Sequence, residues 1–177
     1  MIISLTGFMG CGKSSVGKRL SELLCCRFAD LDAVIEEKAG CPVAEIFERF
    51  GEAEFRRMEK ETLAGILENQ DMVLALGGGA VMAEGSDRMV HESSLCIYLR
   101  TSVDELVSRL SSETDGRPLL KVGSNPSSTN EALRERILDL MSKRAATYER
   151  TAHHIIDTDG KSIDQIAREI VENIKMK

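Results

Sequence analysis

Ile2-Ile3-Ser4-Leu5-Thr6-Gly7-Phe8-Met9-Gly10-Cys11-Gly12-Lys13-Ser14-Ser15-Val16 carries three signals in succession. Residues 2–6 have the apolar content of a short buried strand, three glycines then mark a turn, and Val16, Leu20, Leu23 and Leu24 recur at helical spacing. Gly7 to Ser14 fits the pattern G-x-x-x-x-G-K-[ST], and it lies where the mechanics of that pattern require, after a strand and before a helix. The glycines let the backbone N–H groups from Gly10 through Ser15 turn inward around phosphate oxygens. The helix start adds unpaired N–H groups and a partial positive charge, and Lys13 adds a full charge at the β- and γ-phosphates. Ser14 supplies a hydroxyl ligand for Mg²⁺. A glycine-rich turn that binds nothing is the plainer alternative; every fixed position being filled in the right context argues against it.

Working outward, Arg27–Asp30 reads as a second short strand, followed by helical patterns over 33–38, 43–50 and 52–68, the last with Phe55, Met58, Thr62 and Ile66 on one face. Residues 72–76 form a near-continuous apolar strand that runs into Gly77-Gly78-Gly79. A further strand at 95–99 precedes Ser102 and Glu105, a capping-box pair that starts a helix bearing Val103, Leu106, Val107 and Leu110. Periodicity stops between 111 and 130, a polar stretch long enough to be a functional lid. A helix over about 131–149, a strand at His154–Asp157 and a helix opened by Ser162 and Gln165 complete the pattern. Strands separated by helices predict an α/β domain: a five-stranded parallel sheet flanked by helices, the P-loop NTPase fold, in a single unit over 1–177 whose stretch at about 111–130 is a lid or a disordered excursion.

Bulk properties narrow the function. The 177 residues carry a formal charge of −6 with no long basic run, which argues against a nucleic-acid or acidic-membrane surface. Five cysteines without metal-site spacing read as reduced thiols, with the vicinal Cys25-Cys26 read as ordinary small residues, and the expectation is a chain without a signal peptide. No apolar run reaches the ~18 residues of a spanning helix. The expectation is a cytoplasmic monomer. No guanine-reading Asn-Lys-x-Asp or Thr-Lys-x-Asp stands in the chain, so a kinase acting on a small molecule is favoured over a switch GTPase.

Asp30-Leu31-Asp32 falls at the carboxyl end of the second strand, where open α/β sheets place their ligand crevice. One carboxylate there can hold water on Mg²⁺ and the other can accept a hydroxyl proton. Asp32 as the N-cap of a helix starting at Ala33 is an equally good local reading.

With these residues, Gly51-Glu52-Ala53-Glu54-Phe55-Arg56-Arg57, Leu76-Gly77-Gly78-Gly79-Ala80, Gly116-Arg117-Pro118-Leu119-Leu120 and Lys143-Arg144-Ala145 with Tyr148, the chain resembles the shikimate kinase family, in that family's block order. The resemblance implies ATP and shikimate as substrates, Mg²⁺ as cofactor, and a place in aromatic amino-acid biosynthesis. It implies that Asp32 binds the accepting hydroxyl and takes its proton, that Asp30 serves the Mg²⁺ shell through water, and that Arg56 and Arg144 grip the substrate carboxylate. Gly78 and Gly79 correspond to backbone that approaches the substrate, and Arg117 to a lid arginine over the transferring phosphoryl group. Arg109 corresponds to a residue on the adenine face, and Lys161 stands where the family's second adenine-side arginine does, a departure that removes a flat stacking surface. The 126–130 stretch lengthens the lid or its exit, a second departure. Without the resemblance, Arg56 reads as a solvated surface arginine and Arg144 as an edge charge. His91, His153 and His154 lie outside every block and are read as non-catalytic. Two rival readings remain: a kinase for another hydroxylated acid such as gluconate, and a nucleotide-binding regulatory protein on the same fold.

Overall fold

The computed structural model describes residues 1–68, 71–111 and 129–175. Its elements follow the order β1 (Ile2–Thr6), α1 (Lys13–Leu24), β2 (Arg27–Asp30), α2 (Leu31–Ala39), α3 (Val43–Leu67), β3 (Met72–Ala75), α4 (Ser86–Ser93), β4 (Leu95–Arg100), α5 (Val103–Leu110), α6 (Thr129–Thr151), β5 (His154–Asp157) and α7 (Ile163–Lys175).

The strands form one five-stranded sheet in the order β2-β3-β1-β4-β5, and every pairing is parallel. All five residues of β1 and all four of β3 are buried. Successive side chains of a strand point to opposite faces, so burial at every position means that both faces are covered. The edge strands β2 and β5 are more exposed, as their position requires. Beside the sheet, α1 packs on α7, α6 packs on both α4 and α5, and α4 and α6 pack on β4.

The topology places the site. The connection leaving β1 runs out to the edge strand β2, whereas that leaving β3 crosses past β1 to β4. These diverging exits open a crevice at the carboxyl ends of β1 and β3, and open α/β sheets bind ligands in such a crevice. The loop after β1 and the start of α1 hold Gly7–Ser14, and the loop after β3 holds the triple glycine.

Three local expectations are corrected. The helix after β2 begins at Leu31, not Ala33, and its N-cap is Asp30, whose side chain accepts from the Asp32 N–H; Asp32 lies in the first turn. In α3 the buried positions are Ile46, Phe55, Glu59, Thr62 and Leu63, with Met58 and Ile66 only partly covered, so the buried face includes a carboxylate. Finally, α4 had no counterpart in the sequence pattern, because it buries only Ser86 and Val90. The two helical patterns of 43–50 and 52–68 run together as α3, broken at Gly51, whose φ of 83° and ψ of 169° are not helical. The helix after the polar stretch starts at Thr129, inside the range expected for the lid; residues 112–128, Arg117 included, lie outside the described residues.

Candidate active site

The phosphate loop is built by backbone geometry. Gly10 and Gly12 have φ of 82° and 96°, in the left-handed region that glycine tolerates without strain. A Cβ on Gly10 would lie 2.8 Å from the Leu110 side chain, so space as well as conformation excludes a larger residue. Helix α1 starts immediately after Gly12 with no side-chain cap and no acidic residue in its first turn. Its first N–H groups and positive end are therefore left for an anion. Lys13 is buried, and its Nζ donates to the carbonyls of Gly7 and Phe8, each at 2.9 Å.

Beside this loop, Ser14 Oγ donates to Asp30 Oδ2 at 2.5 Å, and Asp30 Oδ1 accepts the Asp32 N–H at 3.1 Å. Asp30 thus closes β2 against α1 with one oxygen and caps α2 with the other. A hydroxyl and a carboxylate oxygen side by side are the hard donors that Mg²⁺ takes when nucleotide phosphates supply the rest of its shell. Among the described residues no three acidic, His or Cys side chains cluster as a free-standing metal site, so the pair fits a metal that arrives with the nucleotide.

Glu59, buried, and Asp32, half-buried with its Oδ1 covered, are the facing carboxylates of the crevice. Asp32 Oδ1 and Glu59 Oε1 each lack a hydrogen-bond donor among the described residues. Both face one spot above Gly77, where a Cβ would come within 2.8 Å of Asp32 Oδ1 and 2.7 Å of Glu59 Oε1. Burial is the main cause pushing the Asp32 pKa up; the Asp30 charge adds to it, and Lys13 and Arg56 oppose it. Burial also raises Glu59, against the opposing pull of Arg56. Glu59 is 2% exposed at its side chain, and its Oε2 accepts from Arg56 Nη1 at 2.6 Å. That ion pair, with the Phe55 ring 5.2 Å from the guanidinium carbon, fixes Arg56 over the crevice instead of leaving it solvated.

The triple glycine touches all three neighbours. A Cβ on Gly79 would lie 2.5 Å from the Arg56 guanidinium, and one on Gly78 would lie 3.3 Å from the Met9 nitrogen of the phosphate loop. Arg144, buried on α6, reaches Gly78 O with Nη1 at 3.4 Å. On the opposite side, Arg109 Nη1 approaches Gly10 O at 3.4 Å while its Nε donates to Glu105. Lys161 donates to Glu169 at 2.6 Å.

A single cavity of about 720 Å³ joins these groups. It is lined by Gly10 through Ser15, Asp30, Asp32, Arg56, Gly78, Gly79, Arg109, Arg144 and Lys161, which are all the expected site residues except Arg117. Sequence reasoning missed Glu59 and the apolar wall of Val43 and Phe47, the latter ring packed on Phe55 at 4.7 Å. The available signal for Glu59 was its position, four residues after Phe55 and three before Thr62, inside the buried stripe.

A phosphate loop at a topological switch point, a hydroxyl and a carboxylate side by side next to it, and a facing pocket of carboxylates and guanidinium groups define a nucleotide-dependent phosphotransferase. The family model described as shikimate kinase matches residues 9–175. A shikimate kinase of Geobacter sulfurreducens is 40% identical over 173 residues, covering 98% of this chain and 90% of its own length, and one of Thermus thermophilus is 38% identical over 97% of this chain and 89% of its own. Among solved structures, shikimate kinase from Acinetobacter baumannii in complex with shikimate superposes with a TM-score of 0.91 at 33% identity, covering 99% of this chain and 93% of that one. That from Bacteroides thetaiotaomicron gives 0.88 at 30%, over 99% and 98%. The chain belongs to the shikimate kinase family. No helix among the described residues is long and apolar enough to cross a membrane.

Proposed function

We propose that the chain transfers the γ-phosphoryl group of ATP to the 3-hydroxyl of shikimate, giving shikimate 3-phosphate and ADP, a step of aromatic amino-acid biosynthesis in the cytoplasm. The observation that carries this reading is the convergence of Asp32, Arg56, Arg144 and Gly79 on the same cavity as the phosphate loop. Two guanidinium groups suit a planar carboxylate, which fixes one end of the acceptor. Asp32, with an oxygen still unpartnered, receives the hydroxyl at the other end and holds its proton.

Phosphoryl transfer is helped mainly by positioning and by charge around the equatorial oxygens. Gly10 through Ser15 cradle the phosphates, and Lys13 supplies charge beside them. Ser14 and Asp30, the latter through water, would hold Mg²⁺, which would supply positive charge against the phosphates. Arg109 and Lys161 serve the adenine side, with Lys161 steadied by Glu169 in place of a stacking arginine. Arg117, outside the described residues, is assigned by the family resemblance to the transferring phosphoryl group.

Glu59 holds Arg56 for the acceptor. Glu59→Gln should raise the KM for shikimate about tenfold, since a charge-assisted hydrogen bond contributes about 1.5–3 kcal/mol. The ATP KM should stay near the wild-type value. An unchanged shikimate KM would show that Arg56 does not depend on Glu59.

The reading as a whole is tested by coupled ADP release with Mg-ATP and shikimate, quinate, gluconate or no acceptor. Saturable release with shikimate alone is expected. Release with gluconate, or without acceptor, would overturn the acceptor assignment and leave the nucleotide site standing.

A further inference from the structure

The reaction as derived does not use Tyr148, a fully buried phenol on α6 whose Oη donates to the carbonyl of Gly78. A tyrosine this deep normally has its hydroxyl satisfied, so the bond itself is ordinary. Its acceptor is not. Gly78 is the central residue of the triple glycine, and its α-carbon packs on the phosphate loop, with a Cβ there 3.3 Å from Met9 N and 3.8 Å from Gly7 O. The carbonyl that Tyr148 holds therefore belongs to the peptide that joins the acceptor side of the cavity to the nucleotide side.

Arg144 and Tyr148 are four residues apart on α6, on one face of the helix, and both donate to that same oxygen. The two contacts are unequal. Arg144 makes a long one of 3.4 Å, and a carboxylate is a stronger acceptor for a guanidinium than a peptide carbonyl is. When an acidic acceptor enters, Arg144 turns to it, and the Gly78 carbonyl keeps the phenol. Tyr148 does not turn with it. Its ring is wedged against Tyr98 of β4, with centroids 5.2 Å apart at 33°, and burial raises its pKa, so it stays a proton donor at neutral pH.

We propose that Tyr148 is a positioning residue for phosphoryl transfer: its hydroxyl holds the Gly78-Gly79 peptide against the phosphate loop once Arg144 has turned to the acceptor's carboxylate. This rests on the acceptor-site reading above and adds to it. It makes Arg144 exchange partners during the cycle while Tyr148 keeps the backbone that both substrates share.

Tyr148→Phe removes one oxygen and leaves the ring in place. The buried carbonyl then loses its donor in the complex, and the KM for shikimate should rise about tenfold, with kcat reduced less and the Kd for ATP measured without acceptor within about twofold of wild type. A merely structural role would lower the thermal midpoint and the active fraction and leave KM unmoved. A shikimate KM within about twofold of wild type, or an equal loss of ATP affinity, would overturn the inference and leave the acceptor assignment intact. Absence of shikimate-dependent turnover in the wild-type chain would sink both. If Tyr148→Phe does not fold, the wild-type chain labelled with ¹³C at glycine carbonyls decides. Shikimate should shift the Gly78 carbonyl resonance as Arg144 leaves it, and a resonance that does not move overturns the exchange of partners.

Discussion

Asp32→Asn should lower kcat by about 10²–10⁴, the range that a positioned general base contributes, while ATP affinity stays within a few-fold of wild type. The amide keeps the shape and the helical position, so the Asp32 N–H still meets Asp30 and α2 is still capped. What it loses is the capacity to take a proton at the oxygen that faces the cavity above Gly77. A second readout separates this from damage to the fold. Burial raises the pKa of Asp32 in the folded chain. The unfolded chain therefore releases that proton first, and stability is lost as pH rises from the unfolded pKa through the folded one. Above that window the ionised carboxylate costs folding free energy, and asparagine escapes this cost. The variant should accordingly melt at the same temperature as wild type or higher at pH 8, as expected where a functional site trades stability for activity. Steady-state kinetics and thermal melts over pH 5–9 check both parts; turnover within a few-fold of wild type would remove Asp32 from the chemistry.

Lys13→Ala should weaken ATP binding at least tenfold and lower turnover by a further ~10²–10³, the size of effect seen when a preorganised donor at developing charge is removed. Lys13 is held in the loop before any ligand arrives, bonded to Gly7 O and Phe8 O at 2.9 Å each, so little ordering is needed when phosphate enters. Its removal also leaves two inward carbonyls facing an anion. Isothermal titration with ATP in the absence of acceptor isolates the binding part, and unchanged affinity would contradict the cradle assignment.

Much of this was legible in the chain, for identifiable reasons. The phosphate loop is read from local geometry, since glycines, lysine and serine at fixed offsets between a strand and a helix have few other uses. Buried parallel strands such as 72–76 announce themselves as unbroken apolar runs. Glu59 was hidden because apolar periodicity treats a charged residue as solvent-facing, and its burial depends on Arg56 and on the open space over Gly77. The N-cap falls on Asp30 and not Asp32 because β2 passes into α2 with no intervening loop, a boundary that residue preferences place only to within a residue or two. Strand order was not readable from periodicity, which reports faces and not neighbours.

Asp30 divides its two oxygens between separate tasks, one toward the start of α2 and one toward Ser14. On the proposed reading, loss-of-function variants at this residue mix two defects, a frayed helix and a poorly loaded metal. Asp30→Asn, which retains an acceptor for the cap and surrenders the charge, reports on metal loading nearly alone, whereas Asp30→Ala reports on both. A clinical or evolutionary reading of substitutions here must ask which oxygen was lost before ascribing the phenotype to catalysis.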